Sequence, residues 1–486
     1  MLAGYRCFKA PGRVLGASAL FLTVAACTLS PNVPDPKVSA PVSFKEATPA
    51  MSAVWPELGW WQGFGSPELD RLMAQTQDSN LDIAAAIARI EQADAQIKVS
   101  GSSLYPSLSA SGQGERSRRG TGGSNSGLGD IYQGSNSRIS NSYNAGLTAS
   151  YELDFWGGNR AALESARQSA LASRYDKETV ALTATTSTAT TYFAILAAQD
   201  RLALARDNLR IAEQTLDVIK ARSRVGVATE LDLANQETIV AQQRAAIPPL
   251  ELDLTQNINA LAILTGHAPE EVQVTGGKLA GLKTPVVVPG LPSELLARRP
   301  DVREAEANLS AARANVQVAR AAMFPNITLT ATGGYESSAL SQLFTPGGFF
   351  SSLTGGLTQP LFEGFALQGQ LEANKAAYRE LMATYQKTII SAFSDVDDAL
   401  ASIRRTTEQE QQQELVVASA QRAYDIAQAQ LRVGVVDITD VLNAEQTLFS
   451  DRDALAQVRL SRINAVVSLF QALGGGWTEP TQISAK

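Results

Sequence analysis

Apolar positions along this chain follow two periods, and the switch between them occurs twice. Leu69, Leu72, Ile83, Ile87, Ile90 and Ile97 keep helical spacing up to about Gly101. Ser66 before Pro67 predicts an N-cap followed by proline at the first helical position, where a missing N–H does no harm. The period then falls to two. Tyr143, Ala145, Leu147, Ala149, Tyr151, Leu153 and Phe155 share one face, and Asn144, Gly146, Thr148, Ser150, Glu152 and Asp154 the other. This predicts a strand at 143–155, long enough to cross a membrane at a tilt, with a weaker partner strand at 104–118. Residues 119–142, rich in Gly, Ser and Asn, predict an exposed loop. From Gly158 to Ser223 there is no proline and only helix-compatible sequence. One helix over that length would span about 100 Å. A return helix is expected at 230–264, broken or sharply kinked by Pro248-Pro249, and ending at Thr265-Gly266.

After a Pro/Gly linker at 267–292 the plan restarts. Leu295 to Ala322 reads as helix, 324–332 and 349–361 as strands, and Phe365 to Leu431 as a second long helix. Tyr385, Ile389, Phe393, Val396, Leu400 and Ile403 step by threes and fours along it, the spacing of helix-on-helix packing. A last helix runs to Ala472 and stops at Gly474-Gly475-Gly476. The two repeats are thus 67–266 and 293–476, with a tail at 477–486.

Each long helix ends in the same words. Arg224-Val225-Gly226-Val227 returns as Arg432-Val433-Gly434-Val435, 208 residues later, and residues 224–237 agree with 432–445 at 7 of 14 positions. The matches include Asp232/Asp440, Asn235/Asn443 and Glu237/Glu445. Glycine suits the left-handed residue that closes a helix, and Thr229 and Asp437 are placed to cap the helices that follow. Two tight helix–turn–helix tips, at 224–229 and 432–437, are therefore expected.

The N-terminus reads as a secretory signal. Arg6, Lys9 and Arg13 precede a short apolar run, Val14 to Ala26, ending in Val24-Ala25-Ala26-Cys27. Small residues before a cysteine resemble a bacterial lipobox, which implies cleavage after residue 26 and a covalent lipid on Cys27. A Pro-rich arm, 27–66, follows; it is expected to be extended and to pack its aromatics, Trp55, Trp60, Trp61 and Phe64. Without the signal, 38 basic residues stand against 48 acidic ones, a net charge of −10. A chain so acidic, with no basic block, speaks against nucleic-acid binding. No later run of 18 apolar residues suggests a spanning helix, which leaves β-strands as the route into a membrane. Chemistry is sparse. The single His267 follows a helix stop, no cysteine pair is left for a metal or redox site, and Arg298-Arg299-Pro300-Asp301 reads as a helix entry. No nucleotide-binding or catalytic motif stands out, so an enzyme is not expected.

Four strands cannot close a barrel, and open edges are too costly in hydrocarbon. Copies of the chain must complete it. A further set of residues is specific. Gly290-Leu291-Pro292-Ser293-Glu294-Leu295-Leu296-Ala297-Arg298-Arg299-Pro300-Asp301-Val302-Arg303, followed by Glu304-Ala305-Glu306, resembles the TolC-like outer-membrane efflux factors. The likeness is to their lipoprotein (NodT-type) branch, which serves resistance-nodulation-division pumps. Ala319 to Pro325, Ile247-Pro248-Pro249-Leu250, Leu264-Thr265-Gly266 and both tips fit the same pattern, so the resemblance covers nearly the whole mature chain.

The resemblance implies a mainly α fold with a small β part. Three chains would form an α-barrel in the periplasm and share a twelve-stranded β-barrel in the outer membrane. It implies a lipid-anchored, passive exit duct of a tripartite efflux pump. An inner-membrane transporter would drive it through a periplasmic adaptor that meets the tips at Arg224, Val225, Gly226, Val227, Arg432, Val433, Gly434 and Val435. Family gates lie on the inner helices just before the second tip, where this chain has Arg422 and Asp425. Two alternatives are an outer-membrane duct for one-step protein secretion and a non-channel coiled-coil lipoprotein scaffold. The motif at 290–303 and the lipobox favour the efflux duct over the first, and the alternating strands count against the second.

Overall fold

The computed structural model describes residues 33–34, 41, 43–46, 55–119, 138–286 and 290–479. Cys27, the signal segment and most of the loop expected at 119–142 lie outside these residues. The helices are α1 (Pro67–Ser79), α2 (Leu81–Ser102), α3 (Gly158–Arg224), α4 (Glu230–Thr265), α5 (Pro292–Arg298), α6 (Pro300–Ala321), α7 (Ala366–Arg432) and α8 (Ile438–Ala472). The strands are β1 (Ser107–Arg119), β2 (Arg138–Glu152), β3 (Asn326–Ser337) and β4 (Phe349–Thr358). The fold is mainly helical with one four-stranded antiparallel sheet, as expected. The chain divides into two compact units.

The first unit holds residues 93–170 and 308–381 and is built on the sheet, in the order β1-β2-β3-β4. Its register sorts the side chains by face. Ala110 lies opposite Leu147, Tyr151 opposite Leu329, and Ala331 opposite Leu353. Ser109 lies opposite Thr148, Ser150 opposite Thr330, and Thr332 opposite Ser352. Directly paired residues share a face, so one side of the sheet is apolar and the other is lined with hydroxyls. Leu108, Leu147, Leu353 and Leu357, all on the apolar face, are exposed in the single chain. Gly334 permits the approach of β2: a Cβ there would stand 2.5 Å from Ala145 O.

β2 stops at Glu152, three residues short of the expected strand, because Asp154 is recruited by the next helix. It accepts from the N–H groups of Asn159 and Arg160 at 3.1 and 3.0 Å. Trp156 stacks on Phe324 at 4.7 Å and donates to Pro325 O at 2.8 Å, which ties the end of β2 to the start of β3. In the second repeat, Leu361 and Phe362 are exposed and Phe365 adopts φ 68°. Gly157, 208 residues earlier, has φ 74°.

The second unit holds residues 36–92, 171–307 and 382–486 and carries the helical cores. Trp60, Trp61 and Phe64 are buried with Phe193 and Phe470, and Trp60 stacks on Phe470 at 4.7 Å. The aromatics of the arm therefore pack as expected, but over 60–64 the backbone is a 3-10 turn rather than extended. Phe44 joins a second core with Leu295, Val302, Ile389 and Val396. One 18-residue window of α3 is apolar enough for a membrane span, yet 56% of it is buried inside the chain, which marks a core helix.

Three helix boundaries differ from expectation. The first helix breaks at Asn80, whose backbone is extended (ψ 127°). Its buried side chain accepts from Asp82 and Ile83 N–H groups and donates to Leu264 O, so it starts a new helix and ties it to α4. The helix expected from Leu295 breaks at Arg299, because the residue before a proline is pushed out of the helical region. Conversely, Pro248 and Pro249 lie inside an unbroken α4. The carbonyls they leave without donors belong to Arg244 and Ala245, both exposed, so water can serve them. The linker after Gly266 is also anchored: Leu279 is buried and its N–H donates to Asp200 at 3.0 Å.

Candidate docking tips and helix gate

Both tips close by the same hydrogen bonds. Gly226 N donates to Ser223 O (2.9 Å) and Val227 N to Arg222 O (2.9 Å). Gly434 N donates to Leu431 O (3.2 Å) and Val435 N to Gln430 O (3.0 Å). This is the paired closure in which a left-handed residue satisfies the last carbonyls of a helix, with φ 74° at Gly226 and 77° at Gly434. A Cβ at either position meets nothing within 4 Å, so glycine is required by backbone conformation and not by space. Val225, Val227, Val433 and Val435 are 67–75% exposed, an apolar rim on otherwise polar turns. Arg224 and Arg432 are exposed beside them, and Arg432 donates to Gln428 Oε1 at 3.0 Å. One side chain bridges the tips: Arg222 donates to Leu431 O at 2.9 Å.

The capping residues divide. Thr229 forms a full capping box: its hydroxyl accepts from Asp232 N (3.1 Å), and Asp232 accepts from Thr229 N (2.8 Å). Asp437 occupies the N-cap position of α8 but makes no side-chain cap bond. Its N3 residue is Asp440, another acid, so the two side chains repel, whereas the Thr229 hydroxyl also donates to Asp232 (2.7 Å).

Below the turns, α3, α4, α7 and α8 share a core that includes Leu216, Ile219, Ile239, Tyr424, Val441 and Phe449. Between α3 and α7 lies a groove of about 550 Å³ lined by Arg210, Thr215, Val218, Arg222, Tyr424 and Gln428, among others. Arg422 and Asp425, the gate candidates, are both exposed on α7. They are not brought together: Asp425 accepts from Gln421 Nε2 at 2.9 Å and Arg422 donates to Ser419 Oγ at 3.3 Å.

One polar residue of this core was not singled out from sequence. Glu445 is fully buried on α8. Thr215 Oγ1 donates to its Oε2 at 3.2 Å, and burial pushes its carboxyl from 4.5 up to about 7. The available signal was its spacing, three and four residues from Val441, Leu442, Leu448 and Phe449, which places a carboxylate on the apolar stripe.

The Arg-rich stretch of the second repeat is structural. Arg299 pairs with Asp301 (2.7 Å) and Asp395 (2.8 Å) and donates to Ala472 O; Arg298 lies over the Trp55 ring at 4.6 Å. His267 faces Thr265 O at 2.6 Å from Nδ1. Among the described residues no group of three His, Cys, Asp or Glu side chains converges as a metal site.

Comparison with known proteins agrees with this architecture. The model of the family "Outer membrane efflux protein" matches residues 72–267 and 291–475. The pyoverdine export outer membrane protein OpmQ of Pseudomonas putida is 38% identical over 458 residues, covering 94% of this chain and 96% of its own. The probable outer membrane lipoprotein SilC of Salmonella typhimurium is 31% identical, covering 96% and 99%. The open-state structure of the Neisseria gonorrhoeae MtrE outer membrane channel superposes with a TM-score of 0.83 at 29% identity, covering 94% of this chain and all of that one. Its duplicated helices, its two-faced sheet and these matches place the chain in the outer membrane efflux protein family, the TolC-like channels of the bacterial outer membrane.

Proposed function

We propose that three copies of this chain form the exit duct of a tripartite efflux pump that expels small molecules, powered by a resistance-nodulation-division transporter and joined to it by a periplasmic adaptor. A conduit has no bond to make or break, and the chain acts as a passage rather than a catalyst. The observation that carries this reading is the sheet: its apolar face is exposed and its outer strands, β1 and β4, have unpaired edges. In hydrocarbon such edges must be paired, and only a neighbouring copy offers the matching strand. Three copies give twelve strands, within the range of closed barrels.

The internal repeat supplies the register of that junction. β1 maps onto β3 by the Tyr105-Pro106 and Phe324-Pro325 landmarks, and β2 onto β4 by the 208-residue spacing of the tips. These shifts carry the β1–β2 pairing onto the β3–β4 pairing without a slip. Applied to the β2–β3 pairing, they set Thr358 of one copy opposite Ser111 of the next. A Ser111→Cys, Thr358→Cys double variant should oxidise to a covalent trimer in outer-membrane fractions, and each single variant should not. A chain that stays monomeric under oxidation in both cases overturns the trimeric barrel.

The same reading assigns the exposed valines and arginines at 224–227 and 432–435 to the adaptor, and Arg422 and Asp425 to the resting closure of the duct. It places the chain in the lipoprotein branch, extending into the periplasm from a lipid on Cys27. Support for the anchor is the Val24-Ala25-Ala26-Cys27 sequence and the relative named as a lipoprotein. Labelled palmitate should enter the native chain and not Cys27→Ser. Cargo is read as small organic molecules, and a siderophore of the kind named for the pyoverdine-export relative is a fitting first test. Deleting the gene should trap such a molecule in the periplasm; undiminished export would overturn the assignment.

A further inference from the structure

The geometry points to Glu445 as a neutral carboxylic acid, a proton-held clamp that keeps the four tip-bearing helices packed and loosens them when it ionises. This rests on reading the tips as the end of the duct that opens. Glu445 is 0% exposed, at the junction of α3, α4, α7 and α8. It accepts one hydrogen bond, from Thr215 on α3. Gln236 of α4 also lies within hydrogen-bonding reach: its Nε2 gives one N–H to Ala212 O at 2.8 Å, and its amide, like Thr215, pulls the carboxyl down against the larger effect of burial. Two buried oxygens, Glu445 Oε1 and Gln236 Oε1, are left without a donor.

An ionised Glu445 would be a buried anion met only by neutral groups, the Thr215 hydroxyl and the Gln236 amide, with no cation to offset its desolvation. The titratable group facing it from α7 is the buried Tyr424 phenol, while α3 and α4 present only Thr215 and Gln236. Arg452, farther along α8, and Asp425 on α7 act on the Tyr424 phenol. The Arg452 guanidinium is engaged by Asp207 (3.7 Å) and Gln421 (2.6 Å). A proton therefore does two things at once: it removes the charge and supplies a donor to a site that has only acceptors unmet.

The other half of the repeat sharpens the point. Near its tip α4 buries Gln236 with Ile239 and Val240, and α8 buries Glu445 with Leu448 and Phe449, each polar residue three and four positions before its apolar pair. Where α4 carries a permanently neutral amide, α8 carries an acid. An acid titrating near neutrality makes this packing depend on pH, which an amide cannot do. The clamp lies within one core with Leu431 and Ile438, which flank the second tip, and Leu431 O is the atom that Arg222 ties to the first.

Amide hydrogen exchange on the full chain in detergent tests the clamp, after correction for the intrinsic pH dependence. Exchange in segments 212–219 and 236–240 should be at least tenfold faster at pH 8.5 than at pH 5.5. Glu445→Gln should reduce the difference to less than twofold while keeping the protected state. Thr215→Val, which removes the hydroxyl that donates to the carboxyl, should move the midpoint to higher pH. Equal exchange at both pH values in the native chain, or a Glu445→Gln variant that tracks it, overturns the proposal. Planar-bilayer conductance separates the clamp from the reading of the tips. If exchange responds to pH while conductance does not, the clamp stands and the tips are not the opening end.

Discussion

Gly226 and Gly434 carry the same left-handed backbone and the same pair of closing hydrogen bonds, whereas the helices that leave them bury different residues. Glu237 and Glu445 match in the aligned tip sequences, yet Glu237 is exposed and Glu445 is fully buried. The difference is confined to the tip-proximal turns: Gln236 and Ile239 are buried on α4 where Ala444 and Thr447 are not on α8, whereas Val240 and Leu448, Leu250 and Val458, and Leu261 and Leu469 are buried in both. The caps diverge as well, with a capping box at Thr229 and none at Asp437. A turn is specified by its own few residues, so duplication copies it whole. Burial is specified by neighbouring helices, and the two return helices have different neighbours.

The sharpest way to break this comparison is to neutralise the two matched acids. Folded Glu445 holds its proton more tightly than the unfolded chain does, so its contribution is greatest while it is neutral and is lost as pH rises through about 7. The full difference is about 3 kcal/mol per chain. Glu445→Gln should therefore be more stable than the native protein in urea unfolding at pH 8.5 and equal to it at pH 5, whereas Glu237→Gln should change neither. Next in size is the turn. Gly226→Val or Gly434→Val forces a β-branched residue into the left-handed region, a strain of roughly 2 kcal/mol. Each should lower resistance at least fourfold while trimers still form; a loss confined to one would show that the two rims are not equivalent docking points.

The caps come third. Thr229→Ala removes a capping box and should destabilise the start of α4 by about 1 kcal/mol, read as faster amide exchange at 230–234, while Asp437→Asn should leave the start of α8 unchanged or slightly firmer. The smallest expected effect on stability is at Asp425, which is exposed and bonded to Gln421. Asp425→Ala should shift unfolding by less than about 0.5 kcal/mol yet raise conductance in planar bilayers. An unaltered closed state would remove it from the gate.

The legible parts of the fold were those with strong periodicity. The Pro-free run from Gly158 appears as α3 and the strand pattern at 143–155 as β2, which starts five residues earlier, inside the expected loop, and ends three residues earlier. Helix breaks were less legible, because they depend on what a side chain or carbonyl can reach. Asn80 breaks a helix since it finds Leu264 O, and Pro248 and Pro249 do not since Arg244 and Ala245 face water. Of the candidate site, the turns were visible in Gly226 and Gly434. Arg422 and Asp425 were reached only through family likeness, and in one chain they bond to Ser419 and Gln421 rather than to each other.

By itself the amino-acid order determined the duplication, the two periods, the long helices and the left-handed glycines, since each depends on residues within a turn or two of one another. The tertiary structure alone decided which of two matching glutamates enters the core, which linker residues are held, and which strand edges are left open. Those outcomes turn on contacts between residues far apart in sequence, such as Glu445 with Thr215 or Leu279 with Asp200. Such contacts set the local dielectric and the supply of hydrogen-bond donors, and neither can be read from spacing along one helix.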